Sequence, residues 1–297
     1  MNQYVTGLII QSAITVITVA GMFGLTGLAG MVSFGQAAFM AIAAYATSLS
    51  WFYLHLPFPI ACVVGILVTV LVALFIGAPT LRLRKDYFSL ITVGLNEAII
   101  ALVLTFSKWT SVATGFSRIP LVKGRLAIAI IAMVGVIWMM YNFKNSRFGR
   151  MCIALKNDEL AAKSFGIKVY ELKLKVYIVS CIIAGVGGII YALQTRVIDP
   201  YSFGWSRSSE MVIYMFFGGT NSLIGSSLSA FVLKLMPELL RGVEIMGRSI
   251  QEYRIAIYSV LILLIINFRP GGLFGEWEPS LKSLAKLFGK KQKPEGE

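Results

Sequence analysis

Long apolar runs separated by short polar joints set the pattern of this chain. Val5–Ala29 and Val32–Leu54 are apolar and helical in period, and a joint follows the point where Gly21, Gly24, Gly27 and Gly30 recur every third residue. Pro57–Pro79 is a third run, ended by the basic stretch Leu81–Asp86, and Tyr87–Phe106 is a fourth. A loop with Gly115 and Pro120 over Lys108–Arg125 leads to the run Leu126–Phe143. After a polar stretch from Lys144 to Lys175, Val176–Leu193 is apolar again, and Asp199-Pro200 marks a turn. Ser208–Leu240 is broken at Gly218-Gly219-Thr220-Asn221-Ser222, and each arm is short for a crossing, which predicts a re-entrant or broken hairpin. Pro237–Tyr253 has an amphipathic pattern suited to the membrane surface, and Ile255–Phe268 is the last apolar run. Since a crossing helix takes roughly 20 residues, the pattern predicts an all-α, polytopic transmembrane bundle of about seven to nine membrane segments. These form a single membrane domain over residues 1–276, followed by a basic tail over 277–297.

Composition agrees. Hydrophobic residues make up 57% of the chain and charged residues only 14%, against about a quarter in soluble domains. No Asp, Glu, Lys or Arg precedes Arg82, so the opening third could not fold in water without a large exposed apolar surface. The N-terminus lacks the basic region and small-residue cleavage site of a removable leader, so Val5 onward is expected to be a permanent span. The net charge of +13 lies mostly in loops and tail. There it sets orientation and meets anionic lipid headgroups rather than nucleic acid. Arg82–Lys85, Lys144–Lys175 and the tail, taken on one side, put that side in the cytoplasm of a multi-pass cell-membrane protein. Cys62, Cys152 and Cys181 are too dispersed for a metal site or a disulfide framework, and His55 stands alone, so no metal site is readable.

The polar stretch concentrates charge as nothing else does, with eight Lys or Arg against three Asp or Glu between Lys144 and Lys175. Asn157 or Asp158 can cap a short helix and Gly166 can end it in a left-handed turn. Leu160 with Ser164, and Ala161 with Phe165, then share a face. Such a helix is either part of a solvated cytoplasmic loop or a docking element for a soluble partner. Within the apolar runs, Ser33, Gln36, Asn96 and Glu97 stand out. A carboxylate at membrane depth costs several kcal/mol unless paired, bonded or protonated, so Glu97 is expected to face the bundle interior. Polar residues there either pack with local hydrogen bonds or line a polar path. Gly24, Gly27, Gly30, Gly218 and Gly219 are candidate hinge and packing positions. There is no GxxxxGK[ST], HExxH or GxSxG motif, so the chain is read as a transport subunit, not an enzyme, with no ATPase site of its own. An ion-coupled secondary transporter working through Glu97 is the rival reading.

Asp158–Ile167, DELAAKSFGI, resembles the coupling-helix motif of ABC importer permeases, an EAA run followed three residues later by Gly. Ala161, Ala162 and Gly166 fit that spacing, whereas Leu160 stands in place of the motif's Glu and Glu159 lies one position early. Gly27–Tyr45, Leu81–Glu97 and the distal pair Phe216–Ser227 and Asn267–Gly275 are similar, in the same order, to the LivM branch of branched-chain amino acid permeases. This resemblance implies inward transport of leucine, isoleucine or valine by an ABC importer permease. Urea, short amides or other small polar solutes are alternatives. It implies a second, LivH-like permease, two ATP-binding subunits (LivG/LivF-like) that hold ATP and Mg, and an extracytoplasmic substrate-binding protein. It also implies surrounding membrane lipid, no cofactor in this chain and no nucleic acid. The ATPase-coupling segment would be Asn157, Asp158, Glu159, Leu160, Ala161, Ala162, Ser164, Phe165, Gly166 and Ile167, with Leu160, Ala161 and Phe165 in an ATPase groove. Ser33, Gln36, Thr92, Asn96 and Glu97 would line the solute path.

Overall fold

The computed structural model describes residues 3–106, 119, 122 and 124–239, with isolated positions beyond them at 244–245, 248–249, 260, 263, 267, 272–273 and 275. Helix α1 (Gln3–Met22) runs on through a π-helical segment, Phe23–Leu28, into the glycine joint. Then follow α2 (Gln36–Tyr53), α3 (Phe58–Thr80), α4 (Lys85–Thr105) and α5 (Arg125–Asn145). The polar stretch forms α6 (Arg147–Asn157) and α7 (Glu159–Ser164). Helix α8 (Val169–Thr195), a 3₁₀ turn (Pro200–Phe203), α9 (Trp205–Gly218) and α10 (Leu223–Leu239) follow among the described residues. Among the described residues five helical segments are long and apolar enough to cross a membrane: Gln3–Leu28, α3, α4, α5 and α8. The protein is a multi-pass membrane protein.

The centre is built from α1, α2 and α8, with α3 against α2 and α8, and with α5 and α10 against α1. Small residues let these helices close up. A Cβ at Gly187 of α8 would lie 2.6 Å from Thr18 Cγ2 of α1. Tyr177 of α8 stacks edge-on against Phe39 of α2 and Phe88 of α4, centroids 5.8 and 6.0 Å apart. Outside this centre α3, α4 and α5 turn Leu71, Phe75, Leu90, Leu102, Ile131 and Trp138 outward. In water that belt would be an aggregation surface; in a bilayer it meets lipid or another membrane subunit.

Several expectations shift. The second apolar run starts helically at Gln36, not Val32, because the chain from Ala29 to Gly35 is non-helical and Gly30 has φ +69°. The expected single short helix over Asn157–Phe165 is the second of a pair. Asp158 leaves helical geometry at φ −150°, ψ 113°, and so ends α6 while starting α7. Helix α8 begins at Val169, before the apolar run at Val176, because its polar first turns lie against α6 and α7 rather than in lipid. The break at residues 219–222 is present, and the 14-residue α9 is too short to cross. Of the amphipathic stretch Pro237–Tyr253, Pro237–Leu239 ends α10 and Glu244–Ile245 pairs antiparallel with Arg248–Ser249, while the rest lies outside the described residues. Most of Lys108–Arg125, most of Ile255–Phe268 and the tail lie outside the described residues.

Candidate functional site: a polar helix-pair platform and a buried polar belt

The platform is built on the α6–α7 pair. Ser146 caps α6, its Oγ accepting from Gly149 N at 3.2 Å, and Cys152 and Leu155 pack inward. Asp158 then caps α7 through one carboxylate oxygen, which accepts from Leu160 N at 2.8 Å and Ala161 N at 3.0 Å. Gly166 closes the far end at φ +77°. Glu159 is clamped from below, with Oε2 2.9 Å from Lys173 Nζ and Oε1 3.3 Å from Lys163 Nζ. The hydrogen bond from Lys173, whose side chain is 7% exposed, is the main cause holding the Glu159 carboxyl below its ordinary range; Lys163 adds to it. Ala162 is buried beneath the helix, while Leu160 and Phe165 are 75% and 86% exposed. Seven of the ten predicted coupling residues, namely Asn157, Asp158, Leu160, Ala161, Ser164, Phe165 and Gly166, are exposed, and Glu159 and Ile167 are half-buried.

A six-residue helix with two exposed large apolar side chains gains nothing from burying them within this chain. Its rigidity comes instead from the cap, the left-handed turn and the Glu159–Lys173 pair. Exposure combined with fixed geometry suits a surface meant to be covered by another protein.

The platform touches both irregular points of the bundle. Lys156, on the last turn of α6, donates to Gly27 O at 2.9 Å in the π-helical segment and to Asn221 Oδ1 at 2.7 Å in the hairpin break. Lys144 donates to Asn221 O at 2.7 Å, and Lys85 to Lys156 O at 3.3 Å. Burial, and then the neighbouring Lys144 and Lys85 charges, pull the Lys156 pKa down. The two breaks meet directly, since a Cβ at Gly27 would lie 2.8 Å from Thr220 O. Gly219 has φ +117°, a conformation that few other residues adopt. Gly218 packs on Ser226 and Ser229, and Gly24 on Met140.

The second constellation surrounds the start of α2, whose first N–H groups have no partner in their own helix. Thr92 Oγ1 accepts from Phe34 N at 3.0 Å, Ser208 Oγ from Ala37 N at 2.9 Å, and Asn96 Oδ1 from Ala38 N at 2.9 Å. Asn96 Nδ2 donates to Phe203 O at 3.1 Å. Gln36 Nε2 donates to Ser180 Oγ at 3.0 Å, which in turn donates to Gly21 O at 2.8 Å. Ser33 Oγ accepts from Gly35 N at 3.3 Å. Ser33, Gln36, Thr92 and Asn96 are therefore brought together, fully buried, where they tie α2 to α4 and α8. Gln36 Oε1 is buried without a donor. Glu97 does not join them. It is exposed rather than turned into the bundle, because Asn96 takes the inward position on α4, and its Oε1 accepts from Trp205 N at 3.2 Å. Sequence reading missed Lys156 and Asn221, which look like ordinary loop residues. It also missed Ser180 and Ser208, whose only signal was a hydroxyl inside an apolar run.

Comparison with known proteins identifies the family. The family described as "Branched-chain amino acid transport system / permease component" matches residues 4–266. The high-affinity branched-chain amino acid transport system permease protein LivM of Escherichia coli is 26% identical, over 84% of this chain and 64% of the relative. The chain thus spans a little less than two thirds of that relative's length. The probable branched-chain amino acid transport permease protein LivM of Methanocaldococcus jannaschii is 23% identical over 77% of this chain and 73% of the relative. The autoinducer 2 import system permease protein LsrC of Shigella flexneri is 24% identical over 61% of this chain and 56% of the relative. Among solved structures, PsaBC from Streptococcus pneumoniae in complex with Fab has 17% identity and a TM-score of 0.47, covering 97% of this chain and 96% of that one. Because that family model matches residues 4–266, nearly the whole chain, the chain belongs to the branched-chain amino acid transport permease components.

Proposed function

We propose that this chain is the membrane permease of an ATP-driven importer, moving branched-chain amino acids inward, and that α7 is its coupling helix. The observation that carries the reading is the pair Leu160 and Phe165, exposed on a short helix that is rigidly capped and clamped. ATP and Mg belong to two ATPase subunits, each with a groove for one permease's coupling helix. Closure of the ATPases pushes α7, and the push rocks the spans to alternate access. A second permease and an extracytoplasmic binding protein complete the assembly. On this reading Gln36, with an acceptor lacking any protein donor, is the path residue best suited to meet a solute or its water. Glu97, on an outward face, belongs to the seam with the second permease.

The test is Phe165→Asp, which puts a charge into the proposed apolar contact. The variant is expected to lose both capture of the ATPase subunits and amino acid uptake, while the isolated chain stays folded, since Phe165 touches solvent. Retention of both activities would remove α7 from the coupling role. A substrate panel of branched-chain amino acids against autoinducer 2 addresses the solute, since permeases for both are among the relatives. Uptake that collapses with an ionophore, persists without ATP and dies in Glu97→Gln would favour the ion-coupled alternative.

A further inference from the structure

We propose that Lys156 is a positioning residue that pins the inner-face helix pair to both helix breaks, so that movement of α7 reaches the membrane through one side chain. The inference rests on the permease reading for its functional meaning, but its physical core stands on geometry. Helix breaks leave carbonyl oxygens without their usual amide partners, and in a membrane protein something must satisfy them. An ammonium group has three protons and can bridge two such oxygens at once. Lys156 takes one such backbone oxygen, Gly27 O at 2.9 Å, and with another proton holds the side-chain Oδ1 of Asn221 at 2.7 Å in the second break, whose backbone O accepts from Lys144. Its own carbonyl accepts from Lys85, at the start of α4. A Cβ at Gly30 would lie 3.0 Å from Lys156 Cγ, so the stem of the lysine is also fitted to the joint.

The pin is not packed solid. A cavity of about 550 Å³ lies around it, lined in part by Gly27, Lys144, Lys156, Thr220 and Asn221. The ammonium therefore has room to leave one oxygen and take another as the helix pair shifts. Asp158 begins α7 two residues after Lys156, so the pin and the exposed apolar pair move as one short lever.

The experiment compares Lys156→Met, Lys156→Arg and Asn221→Ala in the assembled transporter, reconstituted in liposomes. Uptake per ATP hydrolysed is the first readout. Lys156→Met is expected to keep ATP hydrolysis and lower uptake per ATP by roughly 5- to 150-fold, the range of a typical coupling between sites. Lys156→Arg, which can still reach both oxygens, is expected to restore most of it, and Asn221→Ala to lower it less. Amide exchange is the second readout, taken on the purified chain. Residues 24–31 and 219–222 are expected to exchange faster in Lys156→Met than in the unaltered chain. Unchanged exchange, or unchanged uptake per ATP in both Lys156→Met and Asn221→Ala, overturns the pin. If Lys156→Met does not assemble, Asn221→Ala decides: a reduced ratio supports the pin and an unaltered one overturns it. Failure of the unaltered chain to couple uptake to ATP would sink the permease reading instead, and exchange would then judge the pin alone.

Discussion

Asp158 is the residue on which the geometry of the α6–α7 pair turns. Its carboxylate holds two amides of α7 while its backbone leaves the helical region, so one side chain both divides the helix pair and orients its second member. Asp158→Ala is expected to cost about 1 kcal/mol of local stability, as loss of a helix cap does elsewhere. Faster amide exchange at Leu160 and Ala161, with little change in the bundle, is the measurement. Glu159 adds a pH dependence. Its carboxyl is held below the ordinary range by Lys173 and Lys163, so its contribution is complete above the unfolded glutamate pKa of about 4.3. As pH falls through the lower folded value the contribution is lost. Exchange protection across residues 159–164 is therefore expected to decline on acidification below that range, and Glu159→Gln to abolish the dependence.

At the scale of elements, the start of α2 explains why polar residues survive at membrane depth. Asn96 accepts from Ala38 N and donates to Phe203 O, so Asn96→Leu takes the side-chain donor from Phe203 O and leaves Ala38 N only its longer bond, to Gly35 O at 3.2 Å. A loss of about 1–3 kcal/mol is expected, read as a lowered unfolding temperature in detergent. Glu97→Gln, one residue along but exposed, is expected to leave that temperature nearly unchanged. The contrast shows what sequence could and could not reveal. Apolar length placed the first, third, fourth and fifth spans within a few residues, and the Gly-Gly-Thr-Asn-Ser break was visible because glycine and asparagine interrupt an apolar run. Which of Asn96 and Glu97 faces inward was not legible, because neighbouring positions differ by one step of helix phase that only packing fixes. The early start of α8 was hidden for a similar reason. Lys173 looks like a loop residue until Glu159, far from it in the apolar pattern, is seen to neutralise it.

In the molecule as a whole, two interruptions of regular helix converge on the polar stretch. The π-helical segment, the hairpin break and the α6–α7 pair meet at Lys156, while α1, α2 and α8 form a close-packed centre that moves least easily. This division into a stiff centre and a jointed edge suits a machine driven from one face. The most direct measurement is cross-linking from a cysteine placed at Phe165 in the assembled complex in sealed membrane vesicles. Cys152 and Cys181 are buried and do not compete, and the half-buried Cys62 is replaced by alanine beforehand. The account predicts labelling of that cysteine from the cytoplasmic side only, and a cross-link to an ATPase subunit that suppresses uptake. Labelling from the opposite side, or a complex that transports normally with that cysteine cross-linked to no ATPase, would contradict it.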